Sequence, residues 1–307
     1  MFNVKVMELN TIIKQLLAGG IAGCCAKTVI GPLDRTKILL QAHHPYYREF
    51  GIFRCMWEIG RREGPMSLWK GNTMMMIRIF PYAAIQFFSF ERYKNFYETL
   101  WSGWHFNKLL AGSSAGVTSV VCTYPLDMVR TRIAFQITGE HRYKNIPHAF
   151  RTIYFKEGGI RAFYRGMSAT IVGMVPYAGV SFYTFTTLKD LCIKLWPGTL
   201  ARQDMHSPDT LVLRTWVSLG CGGLAGAISQ TVSFPCDVAR RRMQLAAVLP
   251  DSHKYQGIWS TLVAVYTQHG MVKGLYRGLS INYLRVVPQQ AVAFTVYEFV
   301  KELVGLN

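Results

Sequence analysis

Pro32-Leu33-Asp34-Arg35-Thr36-Lys37 is one of three stretches of the chain in which proline, aspartate and a basic residue follow one another at fixed spacing. The other two are Pro125-Leu126-Asp127-Met128-Val129-Arg130 and Pro235-Cys236-Asp237-Val238-Ala239-Arg240. The copies lie about a hundred residues apart, which indicates a large tandem repeat. Each proline is preceded by two glycines in the same register, namely Gly19 and Gly23, Gly112 and Gly116, and Gly222 and Gly226. Three equivalent helices with a seam of small residues are therefore predicted.

The second half of each repeat is equally regular. An amphipathic stretch follows each signature, at Phe53 to Arg62, His148 to Lys156 and Trp259 to Gln268. Then come an aromatic-basic-glycine triplet and, after it, another proline. The triplets are Trp69-Lys70-Gly71, Tyr164-Arg165-Gly166 and Tyr276-Arg277-Gly278, and the prolines are Pro81, Pro176 and Pro288. Each repeat is thus predicted to hold two long helices with a short amphipathic helix between them.

Long apolar runs place these helices in a membrane. The chain has 307 residues, half of them apolar, and a mean hydropathy of +0.15. Three runs lack any charge, Thr215 to Cys236, Gly166 to Leu188 and Leu109 to Leu126. Each approaches or exceeds the length that crosses a bilayer core of about 30 Å. The stretches near Leu16 to Gly31, Gly71 to Phe90 and Gly278 to Tyr297 are each interrupted by one basic residue, and the repeat argues that they cross as well.

The sequence therefore predicts an all-α membrane protein. Six transmembrane helices form three tandem two-helix repeats around a central pseudo-threefold axis, with repeats at residues 1–103, 104–205 and 206–307. Basic residues have nearly equal density on the two sides, so the positive-inside rule gives the orientation only weak support.

The sequence gives little support to other protein classes. A net charge of +17 suggests a soluble, basic helical-repeat protein that binds nucleic acid as an alternative, although no RNA or DNA motif accompanies it. The seven cysteines are odd in number and lie mostly in apolar helices, which indicates small buried side chains rather than disulfides or a metal site. No catalytic triad, metal cluster or phosphate-binding glycine loop can be recognised, so neither an enzyme nor a cofactor is expected.

The segment from Met1 to Lys14 has the character of neither a signal peptide nor a transit peptide, so targeting information is expected to be internal.

With its three signatures and three triplets in one register, the chain resembles the mitochondrial carrier family over nearly its whole length. The strings Leu17 to Lys27, Thr123 to Arg130 and Gly274 to Ser280 are most similar to the branch that holds mitochondrial coenzyme A transporters. The resemblance implies a functional monomer in the mitochondrial inner membrane, with the short amphipathic helices on the matrix side and both termini on the intermembrane-space side.

The signature residues predict a charged ring, which we call the aspartate ring. Its members are Asp34, Lys37, Asp127, Arg130, Asp237 and Arg240. Because each acid lies one turn from a base at a helix kink near the axis, it can reach the base of a neighbouring repeat and close one end of a pore. The resemblance implies that this is the matrix gate, with Gln41 and Gln244 as bracing glutamines below it. Repeat two has Ala134 at that position.

A second ring, called here the lysine ring, is predicted at the other end. Its members are Glu91, Lys94, Lys189, Glu298 and Lys301, with Thr186 where a third acid would stand. The resemblance implies a cytoplasmic gate that pairs Glu91 with Lys189 and Glu298 with Lys94. With one acid replaced, this gate is expected to be the weaker of the two.

The triplets predict anion sites at the starts of three helices. The free backbone N–H groups and the helix dipole favour a negative charge beside Gly71, Gly166 and Gly278. The resemblance implies that cardiolipin phosphates bind there, whereas a plain interfacial belt of aromatic and basic side chains is the alternative.

Departures from threefold symmetry within the pore predict the substrate site, because an asymmetric substrate needs asymmetric contacts. Three residues before the second prolines the repeats carry Arg78, Gly173 and Arg285, and Met174 follows Gly173. Lys27 and Gln86 are further departures. Full charges in apolar spans should face a water-filled cavity and an anion. The guanidinium groups suit phosphates, while Gly173 and Met174 leave space for a flat ring.

These contacts predict an adenine compound that carries several phosphates, moved by alternating access. The resemblance adds that a glycine-methionine pair at this position accompanies adenine-containing substrates. Coenzyme A is the expected substrate, and exchange of ADP/ATP or AMP-type nucleotides is the alternative. The string Arg240-Arg241-Arg242-Met243-Gln244-Leu245 departs from that of ADP/ATP carriers, which argues against bulk ADP/ATP exchange. Proton leak would favour acids at mid-pore, where this chain has bases.

Overall fold

The computed structural model describes residue 14 and residues 18–100, 107–137, 139, 142–195, 201–203, 211–249 and 252–303. Most of these residues are helical, as the sequence predicts. The others lie in turns and loops, apart from a short antiparallel ladder in which β1, Ala201–Gln203, pairs with β2, Leu211–Leu213. The predicted repeat boundaries at 103 and 205, and most of the N-terminal segment, lie outside the described residues.

Each repeat contributes two long helices and shorter ones between them. The first repeat has α1 at residues 18–29, α2 at Gly31–Gln41, α3 at Ile52–Glu63, a 3₁₀ turn at Pro65–Trp69 and α4 at Asn72–Leu100. The second has α5 at Asn107–Phe135, α6 at Ile146–Glu157, α7 at Ile160–Phe163 and α8 at Met167–Leu195. The third has α9 at Thr215–Leu245, a 3₁₀ turn at Ser252–Tyr255, α10 at Ile258–His269, a π turn at Met271–Leu275 and α11 at Leu279–Leu303.

The three predicted amphipathic stretches are helices, α3, α6 and α10, that extend one or two residues beyond the predicted ends. Three stretches of the described residues are long and apolar enough to cross a membrane, Pro65–Leu100, Asn107–Phe135 and Ile160–Leu195. The prediction of a strong span at Thr215 to Cys236 is not among them. The reason is that its glycines, serines and Gln230 lower the hydropathy even though no charge is present.

The signature prolines act differently in the three repeats. Pro32 lies in the first turn of α2, after α1 has ended, where a missing N–H costs nothing. Pro125 and Pro235 instead lie inside the continuous helices α5 and α9. At the kink predicted for each signature, repeat one has a break between two helices, whereas α5 and α9 continue through their prolines.

Packing seals one end of the molecule. Helix α5 packs along α4, and α9 packs along α8, so the second long helix of one repeat lies against the first long helix of the next. Most residues after the signature prolines are buried, and α2, α5 and α9 share a core with α3 and α10 that includes Leu39, Phe135 and Leu245. By contrast, α4, α8 and α11 leave most of their side chains exposed or half-buried.

Two buried ion pairs fasten the short helices to this sealed end. Arg35 donates to Glu63 at 2.9 Å, and Arg132 donates to Glu157 at 2.8 Å. A tyrosine hydroxyl donates to each glutamate as well, from Tyr47 in the first repeat and from Tyr143 in the second. Charge-assisted hydrogen bonds of this kind are strong because they are shielded from water.

The third repeat replaces the glutamate with His269, and its buried Arg242 donates to Nδ1 of His43 at 2.6 Å. Because arginine only donates, His43 is neutral and carries its proton on Nε2, which donates to the carbonyl of Lys273 at 2.9 Å. The rings of His43 and His269 lie 3.9 Å apart. Burial, together with the charge of Arg242, lowers the pKa of His43 to about 3.

Candidate functional site

The six charges of the aspartate ring form three ion pairs, each between neighbouring repeats. Arg130 donates to Asp34 at 2.7 Å and Arg240 donates to Asp127 at 2.7 Å. Lys37 lies 3.7 Å from Asp237. The first repeat is thus tied to the second, the second to the third, and the third back to the first, so the ring is closed in this structure.

Two further arginines lie on the ring. Arg78 of α4 donates to Oδ1 of Asp127 at 2.7 Å, and Arg285 of α11 donates to Oδ1 of Asp34 at 2.9 Å. In each case the other carboxylate oxygen, Oδ2, accepts from the ring arginine. The predicted substrate-binding arginines therefore touch the same two carboxylates as the ring. Repeat two has Gly173 at this position and supplies no third arginine.

The three links of the ring differ in strength. Asp127, with 1 % of its side chain exposed, accepts from Arg78, Arg240 and Gln244 within 2.8 Å, and Arg241 lies 3.5 Å away. At the other extreme, 36 % of the Asp237 side chain is exposed. Asp237 has the long contact to the lysine and a 3.1 Å hydrogen bond from Gln230 on its own helix.

The two predicted bracing glutamines also differ. Gln244 donates to Asp127 at 2.8 Å and to the hydroxyl of Tyr124 at 3.1 Å, and its Oε1 accepts from Arg241 and Thr131. Gln41 is completely buried, but within the described part of the chain neither polar atom of its amide has a hydrogen-bond partner. The geometry of a brace is therefore present at one of the two glutamines.

The remaining residues of the predicted substrate site surround the ring unevenly. Lys27 donates to Gln289 of α11 at 3.2 Å. The space predicted beside Gly173 is occupied here, because a Cβ atom at this position would lie 2.9 Å from Cβ of Cys236 in α9. Met174 lies against Gly116 of α5.

Gln86 is separate from this group. It is exposed and lines a groove between α4 and α5 with a volume of about 350 Å³, together with Phe90 and Gly112. The structure thus brings Arg78, Arg285 and Lys27 to the ring but leaves Gln86 some distance along α4.

The lysine ring is open in this structure: its described members do not form the predicted ion pairs. Lys94 lies 4.0 Å from Glu98 of its own helix, and the hydroxyl of Thr186 donates to the carbonyl of Phe182. Among the described residues, no ion pair joins Glu91 to Lys189 or Glu298 to Lys94. Within the part of the chain that the structure describes, ion pairs between repeats therefore join one end of the helix bundle and not the other.

The triplet glycines lie where a long helix begins and the next repeat comes close. Their φ angles are +84° at Gly71, +85° at Gly166 and +89° at Gly278, a region that residues with a side chain rarely adopt. A Cβ atom at Gly71 would lie 3.0 Å from the carbonyl oxygen of Arg130, and one at Gly166 would lie 3.0 Å from that of Arg240. The glycine of one repeat thus contacts the ring arginine of the next.

Sequence reasoning missed Arg241 and Gln230 as members of the site. Arg241 donates to Thr131 and Gln244 and approaches Asp127, while Gln230 donates to Asp237. Arg241 could have been found from its position four residues after Asp237, one helical turn, within a run of three arginines.

The model of the mitochondrial carrier protein family matches the chain three times, at residues 8–100, 102–195 and 212–307. The chain belongs to the mitochondrial carrier family. Among curated relatives, it is 57% identical to Solute carrier family 25 member 16 of Bos taurus, over 96% of this chain and 90% of that protein. The human protein of the same name is 56% identical over 96% and 89% of the two chains. The Mitochondrial coenzyme A transporter SLC25A42 of Xenopus tropicalis is 37% identical over 96% and 86%.

Membership fixes the class of activity. Mitochondrial carriers are membrane transporters of small molecules and not enzymes, so the chain is a transport protein of the mitochondrial inner membrane. The soluble nucleic-acid-binding alternative is thereby removed.

Proposed function

We propose that this carrier transports coenzyme A, or a closely related adenine compound with several phosphates, through alternating access to a central site. The observation that carries the proposal is the position of Arg78 and Arg285. Each shares a ring carboxylate with a ring arginine, at 2.7 Å and 2.9 Å respectively. A phosphate that binds these guanidinium groups competes directly with the bonds that keep the ring closed.

The charge around the ring suits such a substrate. The cluster holds seven bases, Lys27, Lys37, Arg78, Arg130, Arg240, Arg241 and Arg285, against the three aspartates of the ring. Seven minus three leaves a surplus of four positive charges. Arginine binds phosphate through two parallel hydrogen bonds, so a polyphosphorylated anion fits this surplus better than a neutral or singly charged solute.

Substrate binding and gating are coupled in this proposal. When the phosphates take Arg78 and Arg285, Asp127 and Asp34 each lose one of their cationic partners. The ring then depends on its own three ion pairs, and the substrate offsets part of the free energy lost when they open. The adenine ring enters beside Gly173 and Met174, which requires α8 to shift from Cys236 of α9.

The proposed orientation rests on the carrier family, because either end of such a bundle can be the closed one. With the aspartate ring shut and the lysine ring apart, the cavity is open at the end where α4 and α8 finish and α5 and α9 begin. We assign the closed end to the matrix and the open end, with both termini, to the intermembrane space. Closure of the lysine ring would then complete the exchange cycle.

Cardiolipin is the proposed lipid partner of a functional monomer. Cavities of about 520 Å³ and about 700 Å³ lie beside Gly166 and Gly278. Arg161 and Arg165 line the first, and Lys273 and Arg277 line the second. Both lie at a helix start where free N–H groups favour a phosphate. This supports lipid phosphate over a purely aromatic interfacial belt.

Uptake by the purified protein in liposomes tests the transport proposal. Separate vesicles are preloaded with coenzyme A, ADP, ATP or adenosine 3′,5′-diphosphate, and uptake of each labelled compound is measured. Coenzyme A is expected to exchange fastest, and Arg78→Ala and Arg285→Ala are expected to reduce its uptake by about tenfold or more, the loss for about 1.4 kcal/mol of binding. Arg92→Ala, an exposed base on α4, serves as the matched control.

Two outcomes would overturn the proposal. If neither arginine substitution lowers uptake of any adenine compound, the binding site lies elsewhere. If ADP or ATP exchanges faster than coenzyme A, the nucleotide alternative is correct and the adenine-phosphate site stands with a different substrate.

A further inference from the structure

Two cysteines from different repeats face each other at the end of the bundle remote from the aspartate ring. Cys192 lies near the end of α8, and Cys221 lies in the second turn of α9. Their Sγ atoms are 3.8 Å apart. Both belong to an apolar cluster with Val217, Phe185 and Leu188. The pair therefore spans the interface between repeats two and three.

The equivalent interface between repeats one and two is held in a different way. There the hydroxyl groups of Tyr93 and Thr118 lie 3.0 Å apart, as do those of Tyr97 and Ser114. Tyr97 occupies the position of Cys192, three residues after a lysine of the lysine ring. One interface thus has hydrogen bonds where the other has two thiols.

The two thiols are close enough to bond after small side-chain rotations. A disulfide has an S–S length of about 2.05 Å, so the sulfur atoms must approach by about 1.8 Å. Cys192 is half-buried and Cys221 is only 5 % exposed. Cys192 is accordingly the thiol that meets an external reagent first, and Cys221 is the one placed to resolve the product.

We propose that Cys192 and Cys221 form a modification site, a dithiol that a disulfide compound such as oxidised glutathione converts to an intramolecular disulfide. The thiolate of Cys192 attacks one sulfur of the reagent, which forms a mixed disulfide and releases one glutathione thiolate. The thiolate of Cys221 then attacks Sγ of Cys192, which forms the protein disulfide and releases the second glutathione thiolate. The two protons lost by the cysteines are taken up by the two glutathione thiolates. The cysteine pair is oxidised and one equivalent of reagent is reduced.

The bond would restrain the transport cycle, a consequence that rests on the proposed function. Cys192 lies one turn after Lys189 of the lysine ring, on the helix that must move for this ring to close. A disulfide tolerates only a narrow range of distances and dihedral angles. Oxidation is therefore expected to hold α8 against α9 in one arrangement and to slow exchange.

Peptide mapping and uptake of the reconstituted full-length carrier test this proposal together. The protein is treated with oxidised glutathione, remaining thiols are blocked, and linked peptides are identified by mass spectrometry. A Cys192–Cys221 link is expected in the wild type and in Cys122→Ser, which alters an exposed cysteine on α5. It is expected to be absent in Cys192→Ser and Cys221→Ser, where only a glutathione adduct on the remaining cysteine can form.

The uptake measurement tests whether the disulfide slows transport. Oxidised wild type is expected to exchange coenzyme A about tenfold more slowly than reduced protein, with recovery after dithiothreitol, while the serine variants are insensitive. The absence of a linked peptide, with Cys192 recovered as a glutathione adduct or as a free thiol in the wild type, would overturn the dithiol. A link without a change in uptake would overturn the restraint. If no preparation transports coenzyme A, the proposed function fails while peptide mapping still decides the dithiol.

Discussion

Asp127 and Asp237 occupy equivalent positions in the aspartate ring, yet their replacement by asparagine should have unequal consequences. Asp127 is buried and accepts from Arg78 and Arg240 at 2.7 Å, and Arg241 lies nearby. Asparagine keeps the shape but removes the charge, so these buried guanidinium groups lose their common carboxylate. Removal of one partner from a buried ion pair costs about 3–5 kcal/mol, and we expect Asp127→Asn to destabilise the closed state by this amount.

Asp237→Asn should cost much less. Its side chain is more than a third exposed, and its ion pair with Lys37 is long at 3.7 Å. Solvent screens such a pair, which limits its contribution to about 0–1 kcal/mol. The hydrogen bond that Asp237 accepts from Gln230 can be retained by the amide oxygen of asparagine. The two equivalent substitutions are thus expected to differ by at least about 2 kcal/mol.

Thermal unfolding of the purified carrier in detergent measures the difference. Asp190→Asn is the matched control, because Asp190 is an exposed acid on α8 outside both rings. The melting temperature is expected to fall markedly for Asp127→Asn, slightly for Asp237→Asn and hardly at all for the control. Equal losses for the two ring aspartates, or a greater loss for Asp237→Asn, would refute the conclusion that the links differ in strength.

Three further predictions follow from other parts of the molecule. Thr186→Asp restores the third acid of the lysine ring and should stabilise the state closed at that end and slow uptake; faster exchange would contradict the assignment. Burial lowers the pKa of His43 to about 3 and that of His44 to about 4, so between these values and about 6.5 the unfolded chain binds more protons. The free energy of unfolding should therefore fall as the pH decreases from about 6.5, by up to about 1.4 kcal/mol per pH unit for each histidine. Melting temperatures that stay flat across this range would refute this prediction. So would a pH dependence that has the same slope in His43→Gln as in the wild type. Gly166→Ala should lower the melting temperature more than Gly278→Ala. At similar φ, the new methyl group meets a backbone oxygen at 3.0 Å in the first case, and in the second it meets the Cγ atoms of Gln41 and Lys37 at the ordinary contact distances of 3.6 Å and 3.8 Å. An equal effect would show that backbone strain alone decides the cost.

The sequence determined the repeat and the membership of the aspartate ring. A pattern written three times in one register places equivalent side chains at equivalent heights on equivalent helices, whatever the details of packing. The same regularity located α3, α6 and α10 within two residues of their ends, since amphipathic periodicity is a local property. It also made Arg78 and Arg285 conspicuous as charges in apolar surroundings.

The tertiary structure decided what these side chains touch. The following contacts depend on helices from different repeats. Arg78 donates to Asp127, and Cys236 fills the space beside Gly173. Gln244 has four hydrogen-bond partners, whereas the amide of Gln41 has none among the described residues. The spacing of such helices is set to within a few tenths of an ångström by the packing of many side chains at once. A pattern along one chain does not specify this spacing. Which end of the bundle is closed is likewise decided by the tertiary structure, because the same sequence must adopt both states of the cycle.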